Sequence, residues 1–156
     1  MKTNQKGINI IKSYEKFSSK PYLCPAGKPT IGYGTTYYPN GRKVTLSDKP
    51  ISRTKAIQIF RAILSEKEKA VQRFLKMPLN SNQFSALVSL TYNIGIEAFR
   101  TSTLLKKVNR SPDNPRIKNE FLRWVYSNGR KLRGLERRRI EEAQLYFNYE
   151  LRSIIN

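Results

Sequence analysis

A chain with no histidine must look to its carboxylates and its one cysteine for proton transfer near neutral pH. Among the carboxylates, Glu15 is singled out by its phase. From about Gly7 to Phe17 the apolar residues Ile8, Ile11 and Tyr14, with Ile10 and Phe17 beside them, recur at helical spacing. Glu15 lies four residues after Ile11 and seven after Ile8, so it sits on or beside that stripe and faces inward. A carboxyl group in a partly apolar site holds its proton to higher pH, as a general acid must. The plainer reading is a carboxylate at the stripe's edge that reaches solvent, or one neutralised by an arginine in a structural ion pair. After Glu15 the helix stops, and glycine-rich strand sequence, Ile31-Gly32-Tyr33-Gly34, comes next.

The elements that must hold this stretch are legible in order. Ser18, Ser19, Pro21, Pro25, Gly27 and Pro29 break any helix, Tyr22 to Cys24 is short and extended, and Pro25 to Pro29 forms a turn. Thr30 to Tyr38 favours strand; Asn40-Gly41 predicts a type I′ hairpin turn, with Lys43 to Leu46 returning. The resulting sheet of two or three strands is too small to stand alone. Ser52 caps a long helix through Ala56, Ile59, Phe60, Ile63, Val71 and Phe74 to Met77, where Pro78 stops it. Lys55, Arg61, Lys67, Lys69, Arg73 and Lys76 read as its solvated face. Asn80 and Gln83 stand in capping-box positions before a run, Phe84 to Ile94, that is apolar nearly all round and therefore buried; Gly95 ends it. A short helix over Ser102 to Val108, one from Asn114-Pro115 to Asn128-Gly129, and a last from about Leu135, with Ile140, Ala143, Phe147 and Leu151 inside, complete a bundle around residues 82–94.

The fold class is thus α+β and predominantly helical: one domain, 1–156, with a small sheet lobe at about 15–55, a connecting helix at about 52–77, and a helical lobe at about 80–156 joined by the N-terminal helix. Active sites often lie in clefts between such lobes. One cysteine excludes an internal disulfide, and the lack of histidine removes the usual zinc clusters and His-based triads; no metal and no cofactor is expected. Thirty Lys+Arg against eleven Asp+Glu give a formal charge of +19, so the chain seeks polyanions: nucleic acid, an anionic membrane surface or an acidic wall polymer.

Glu15, eight residues, Cys24, five residues, Thr30, then Ile31-Gly32-Tyr33-Gly34-Thr35-Thr36 resembles the signature of the phage-type lysozymes, glycoside hydrolase family 24. The resemblance continues in Asn82 to Leu90, Tyr92-Asn93-Ile94-Gly95, Ser102 to Leu105 and Gly134 to Arg139, and so covers nearly the whole chain. It implies a two-lobed lysozyme-like fold that binds peptidoglycan and cuts the β-1,4 bond from N-acetylmuramic acid to N-acetylglucosamine. Carried over by position, Glu15 matches the general acid, Cys24 a position held by Asp or Cys, and Thr30 the third catalytic residue. Tyr92, Asn93 and Thr103 match substrate-binding positions. The arginine that pairs with the glutamate falls on Arg137, with Arg138 an equal alternative. Thr35 departs from the family, which commonly has histidine there.

In glycoside hydrolysis an acid protonates the leaving oxygen and a second group activates water or attacks carbon. Here the second group would be a thiol, a thiolate base, nucleophile or electrostatic stabiliser once neighbouring positive charge favours its ionised form, with the Thr30 hydroxyl holding water or the sulfur. A monomer is expected. No signal-peptide pattern opens the chain, so it is expected in the host cytoplasm until a holin releases it to the wall, with anionic outer-membrane contact drawn by charge. The rivals are a basic nucleic-acid-binding protein, to which Tyr37, Tyr38 and the Arg137 cluster lend support, and a non-catalytic wall-binding relative. Against the first, the basic residues gather on no recognition helix, and no nucleic-acid contact is expected.

Overall fold

The computed structural model describes residues 1–148. Its elements run α1 (Gln5–Glu15), β1 (Ser18–Leu23), β2 (Pro29–Gly32), α2 (Arg53–Phe74), α3 (Ser81–Ile94), α4 (Ile96–Arg100), α5 (Thr103–Arg110), α6 (Ile117–Phe121), β3 (Tyr126–Ser127), β4 (Arg130–Lys131) and α7 (Arg133–Tyr146). They form two compact units, one of residues 12–66 and one of residues 1–11 with the chain from 67 onward.

The 12–66 unit contains the sheet. β1 and β2 pair antiparallel, Tyr22 opposite Thr30 and Leu23 opposite Pro29, and the register slips between Ser18 and Tyr22. That bulge accommodates Pro21, which has no N–H to give a ladder, so the strand starts earlier than Tyr22. β2 in turn ends at Gly32, well short of Tyr38; Gly32 and Gly34 have φ of +63° and +70°, and only isolated bridges, Ile31 to Thr35 and Tyr37 to Lys43, continue the pairing. The Asn40-Gly41 turn is not type I′. Only Gly41 has positive φ there, and the Gly41 N–H donates to the Tyr38 carbonyl while the Tyr38 N–H donates to that of Arg42. This is a Pro39-Asn40 turn followed by a left-handed glycine, which Asn40 supports by accepting from the Arg42 N–H at 2.9 Å. No returning strand forms over 43–46, because Asp48 takes the Thr45 N–H and hydroxyl at 3.1 and 2.7 Å. Tyr33 packs between Phe17 and Phe60, with centroids 5.7 Å from each, and Ile31 of β2 and Ala56, Ile59 and Ile63 of α2 are buried in the same unit.

In the second unit α3 is buried over every residue from Gln83 to Tyr92, and its Asn80–Gln83 capping box is complete. α1 enters against it: Asn4 caps α1 by accepting from the Gly7 N–H at 3.0 Å, and a Cβ on Gly7 would lie 2.8 Å from that of Ser85. Asn109 of α5 closes the end of α2, accepting from the Lys76 N–H at 2.8 Å and donating to the Phe74 carbonyl at 2.9 Å.

Several faces differ from those the periodicity predicts. Lys67 is only 5% exposed, because it continues the Ile63 and Val71 stripe four residues from each instead of joining the solvated face. Gly95 has φ of +95° and starts the extra helix α4 directly. The helix expected to reach Asn128 ends at Phe121, and Asn128-Gly129, with φ of 51° and 76°, forms a two-residue type I′ turn between β3 and β4. In α7, Ile140 is 38% exposed while Arg138, Arg139 and Glu142 are buried. Leu151 lies outside the described residues.

Candidate active site

Glu15 is the last residue of α1, and its carboxylate occupies the space above Gly34: a Cβ built on that glycine would stand 2.0 Å from Glu15 Oε2. With φ of +70°, Gly34 is suited to glycine on both counts, backbone and room. The glycine of the strand motif thus leaves the room that the Glu15 carboxylate fills.

Cys24 follows β1 and Thr30 lies on β2, and one carbonyl joins them. The Cys24 N–H donates to the Lys28 oxygen at 3.0 Å, and the Thr30 hydroxyl donates to the same oxygen at 2.9 Å. A Gly27 N–H to the Cys24 carbonyl, 2.8 Å, closes the 24–28 turn. Thr30 is 2% exposed and Cys24 is half-buried, so the threonine fixes the turn from inside while the sulfur remains within reach of solvent. With its proton committed to Lys28, the Thr30 hydroxyl orients the turn in this state and offers other groups its lone pairs only.

Tyr22 is a residue that motif reading passes over. It stands opposite Thr30 in the ladder and two residues before Cys24, which puts all three on one face of the hairpin. Partial burial pushes its phenol above the ordinary value, and the nearby Glu15 and Cys24 raise it further. Its hydroxyl therefore stays protonated across the physiological range beside both candidate catalytic groups. The period-two alternation from Tyr22 to Cys24 was the available signal. Thr35, where the resemblance leads one to look for histidine, is 2% exposed, and its hydroxyl makes no hydrogen bond among the described residues.

The remaining candidates lie in the other unit. Tyr92 and Asn93 are at the C-terminal end of α3, Tyr92 buried and Asn93 exposed. Arg139 of α7 donates to Asn93 Oδ1 at 2.8 Å, so the amide presents its NH2 outward as a donor. Behind it is a buried network: Glu142 faces Arg139 at 2.9 Å and Arg138 at 3.2 Å, accepts from the Ser89 hydroxyl at 2.5 Å, and Arg138 donates to the Ser89 carbonyl at 3.0 Å. One carboxylate between two guanidinium groups offsets one of their two positive charges away from water; removing one partner of such a buried set costs about 3–5 kcal/mol. Arg137 is exposed, and Arg138 is 2% exposed within the network. Thr103 begins α5 and lines a hollow of about 300 Å³ with Trp124 and Glu120, the latter paired to Lys107 and Arg123 at 2.9 and 3.1 Å. Those two cations hold the Glu120 carboxyl below its usual range against the opposing effect of its burial.

A sequence profile described as phage lysozyme matches residues 12–142, a span that includes every candidate from Glu15 to Arg137. The chain belongs to the phage lysozyme family, and its mostly helical architecture with small antiparallel sheets is the lysozyme-like fold. It is 37% identical over 150 residues to the endolysin of Acyrthosiphon pisum secondary endosymbiont phage 1, covering 94% of this chain and 98% of that one. It is 34% identical over 143 residues to the endolysin of Salmonella phage P22, covering 92% and 97%. Among solved structures, the endolysin from Escherichia coli O157:H7 phage FAHEc1 superposes with a TM-score of 0.81 at 35% identity, covering 96% of this chain and 95% of that one.

Proposed function

We infer that this chain is an endolysin: a glycoside hydrolase that cuts the β-1,4 bond between N-acetylmuramic acid and N-acetylglucosamine of peptidoglycan, lysing the bacterial cell from its wall. The observation that carries the reading is the seat of Glu15 over Gly34 beside a hairpin whose Lys28 carbonyl joins Cys24 to Thr30. In the reaction, the Glu15 carboxyl proton passes to the glycosidic oxygen as the bond from muramic C1 breaks, releasing the glucosamine 4-hydroxyl. Positive charge then develops at C1, and the sulfur of Cys24 faces it. Three roles are open to that sulfur: thiolate base toward the incoming water, nucleophile forming a thioglycoside that water later cleaves, or a fixed negative charge. The first gives the inverted anomer and the second the retained one, so the configuration of the fresh product separates them. Thr30 holds the turn that aims the sulfur, and Tyr92, Asn93 and Thr103 bind the glycan, Asn93 through its outward NH2.

The deciding experiment is clearing of purified peptidoglycan by wild type and Glu15→Gln, with mass spectrometry of the released fragments. Wild type yields reducing-end N-acetylmuramic acid, and the folded variant yields nothing; clearing by a folded Glu15→Gln protein would remove Glu15 from its role, and anhydromuramic ends would make the enzyme a lytic transglycosylase. For Cys24, alkylation inactivates and Cys24→Asp stays active; an alkylated enzyme that still clears walls returns the residue to a packing role. Release to the wall runs through the pore of a holin: induced cells lyse when a holin is co-expressed, and equal lysis without one defeats that part of the reading.

A further inference from the structure

One hollow of the 12–66 unit is not lined by Glu15, Cys24 or Thr30. It is a groove of about 750 Å³ between the 38–50 loop and the start of α2. Its wall is built around Asp48, which accepts from the Tyr38 hydroxyl at 2.6 Å, the Thr45 hydroxyl at 2.7 Å and N–H at 3.1 Å, and Arg42 at 3.2 Å. These donors hold the Asp48 carboxyl well below the ordinary carboxylate range, the Tyr38 bond contributing most. Arg42 also stacks 4.5 Å over the Tyr38 ring. Asp48 and Arg42 thereby neutralise each other and rigidify the rim. Lys49 and Lys55 also line the groove, and neither makes an ion pair among the described residues. The apolar Ile51 and Ile59 and the amide-bearing Gln58 line the same groove. The groove therefore offers two uncommitted cations, an apolar floor and an amide.

We propose that this groove binds a short acidic peptide, the carboxylate-bearing stem peptide that hangs from the muramic acid of peptidoglycan. The proposal rests on the endolysin reading and extends it from the glycan to its side chains. A stem peptide combines small methyl side chains, a peptide backbone and free carboxylates at short intervals. Each finds its counterpart here: the floor for the methyls, Gln58 for a backbone amide, Lys49 and Lys55 for the carboxylates. A polyphosphate would satisfy the lysines and leave the floor against water, which is why peptide is favoured over phosphate polymer.

The test uses the intact chain, a synthetic stem tetrapeptide and its fully amidated form, with calorimetric titration for binding. The acidic peptide binds, the amidated one binds at least tenfold more weakly, and Lys49→Glu/Lys55→Glu weakens the acidic peptide at least tenfold. The same double variant clears peptide-stripped glycan at the wild-type rate and loses the wild type's lower KM for peptide-bearing wall. Equal binding of the amidated peptide, an unaffected double variant, or inorganic triphosphate competing as well as the peptide each overturns the assignment. Because binding is read without turnover, peptide binding by a protein that clears no wall would overturn the endolysin reading and leave the groove standing. Clearing without peptide binding does the reverse.

Discussion

A methyl group on Gly34 tests the role proposed for Glu15 while leaving that residue in the sequence. Gly34→Ala would place that methyl 2.0 Å from Oε2 at a φ of +70°, so the carboxylate must move and the backbone must bear a left-handed alanine. The strain costs about 1–2 kcal/mol of stability, and displacement of the acid by about 1 Å costs kcat about a hundredfold. Thermal melting and steady-state turnover on solubilised peptidoglycan separate the two effects. A variant with lowered Tm and undiminished kcat would show that the glycine serves only the turn. At this scale the sequence was most informative for Glu15, since helix phase and motif agree on it, and least for Tyr22, whose relation to Glu15, Cys24 and Thr30 depends on a strand register that a bulge at Pro21 shifts.

At the scale of elements, the two Asn-Gly pairs show what local sequence leaves open. The same dipeptide makes a type I′ turn at 128–129 and a turn with one left-handed residue at 40–41. Pro39 and the pull of Asp48 on Thr45 decide the second, while Ser127 and Arg130 pair directly across the first. Asn128→Val, forced to positive φ, should therefore destabilise by about 1–2 kcal/mol, and Asn40→Val by less, losing only the bond from the Arg42 N–H. Denaturant midpoints of the two variants check this, and equal losses would contradict the difference in turn type. The capping box of α3 and its all-round burial were readable because both are local or periodic signals. The inner face of α7 was not: nothing local to Arg138, Arg139 and Glu142 shows that Ser89 and Asn93 of α3 supply partners to this face. Lys67 misleads in the same way, a charge in a position whose phase is apolar.

For the whole molecule, the charge of +19 has a measurable signature. Attraction of a basic enzyme to an anionic wall weakens as the Debye length falls from about 10 Å at 0.1 M salt to about 3 Å at 1 M. Clearing of whole walls should therefore slow markedly over that range, while hydrolysis of a short uncharged chito-oligosaccharide changes little. Equal salt sensitivity of both would place the effect in the protein's stability instead of its attraction to the wall. A compensated pair such as Arg42 with Asp48 adds nothing to the excess, and exposed lysines and arginines carry charge that salt reaches.

The half-buried Cys24 is the only thiol in the chain. A colourless disulfide reagent that releases a chromophore on reaction would therefore report a single stoichiometric event per molecule, with no background from other sites. Its rate becomes a clock for how often the sulfur is uncovered, and glycan fragments that slow the clock would be ranked by occupancy without any bond being cut.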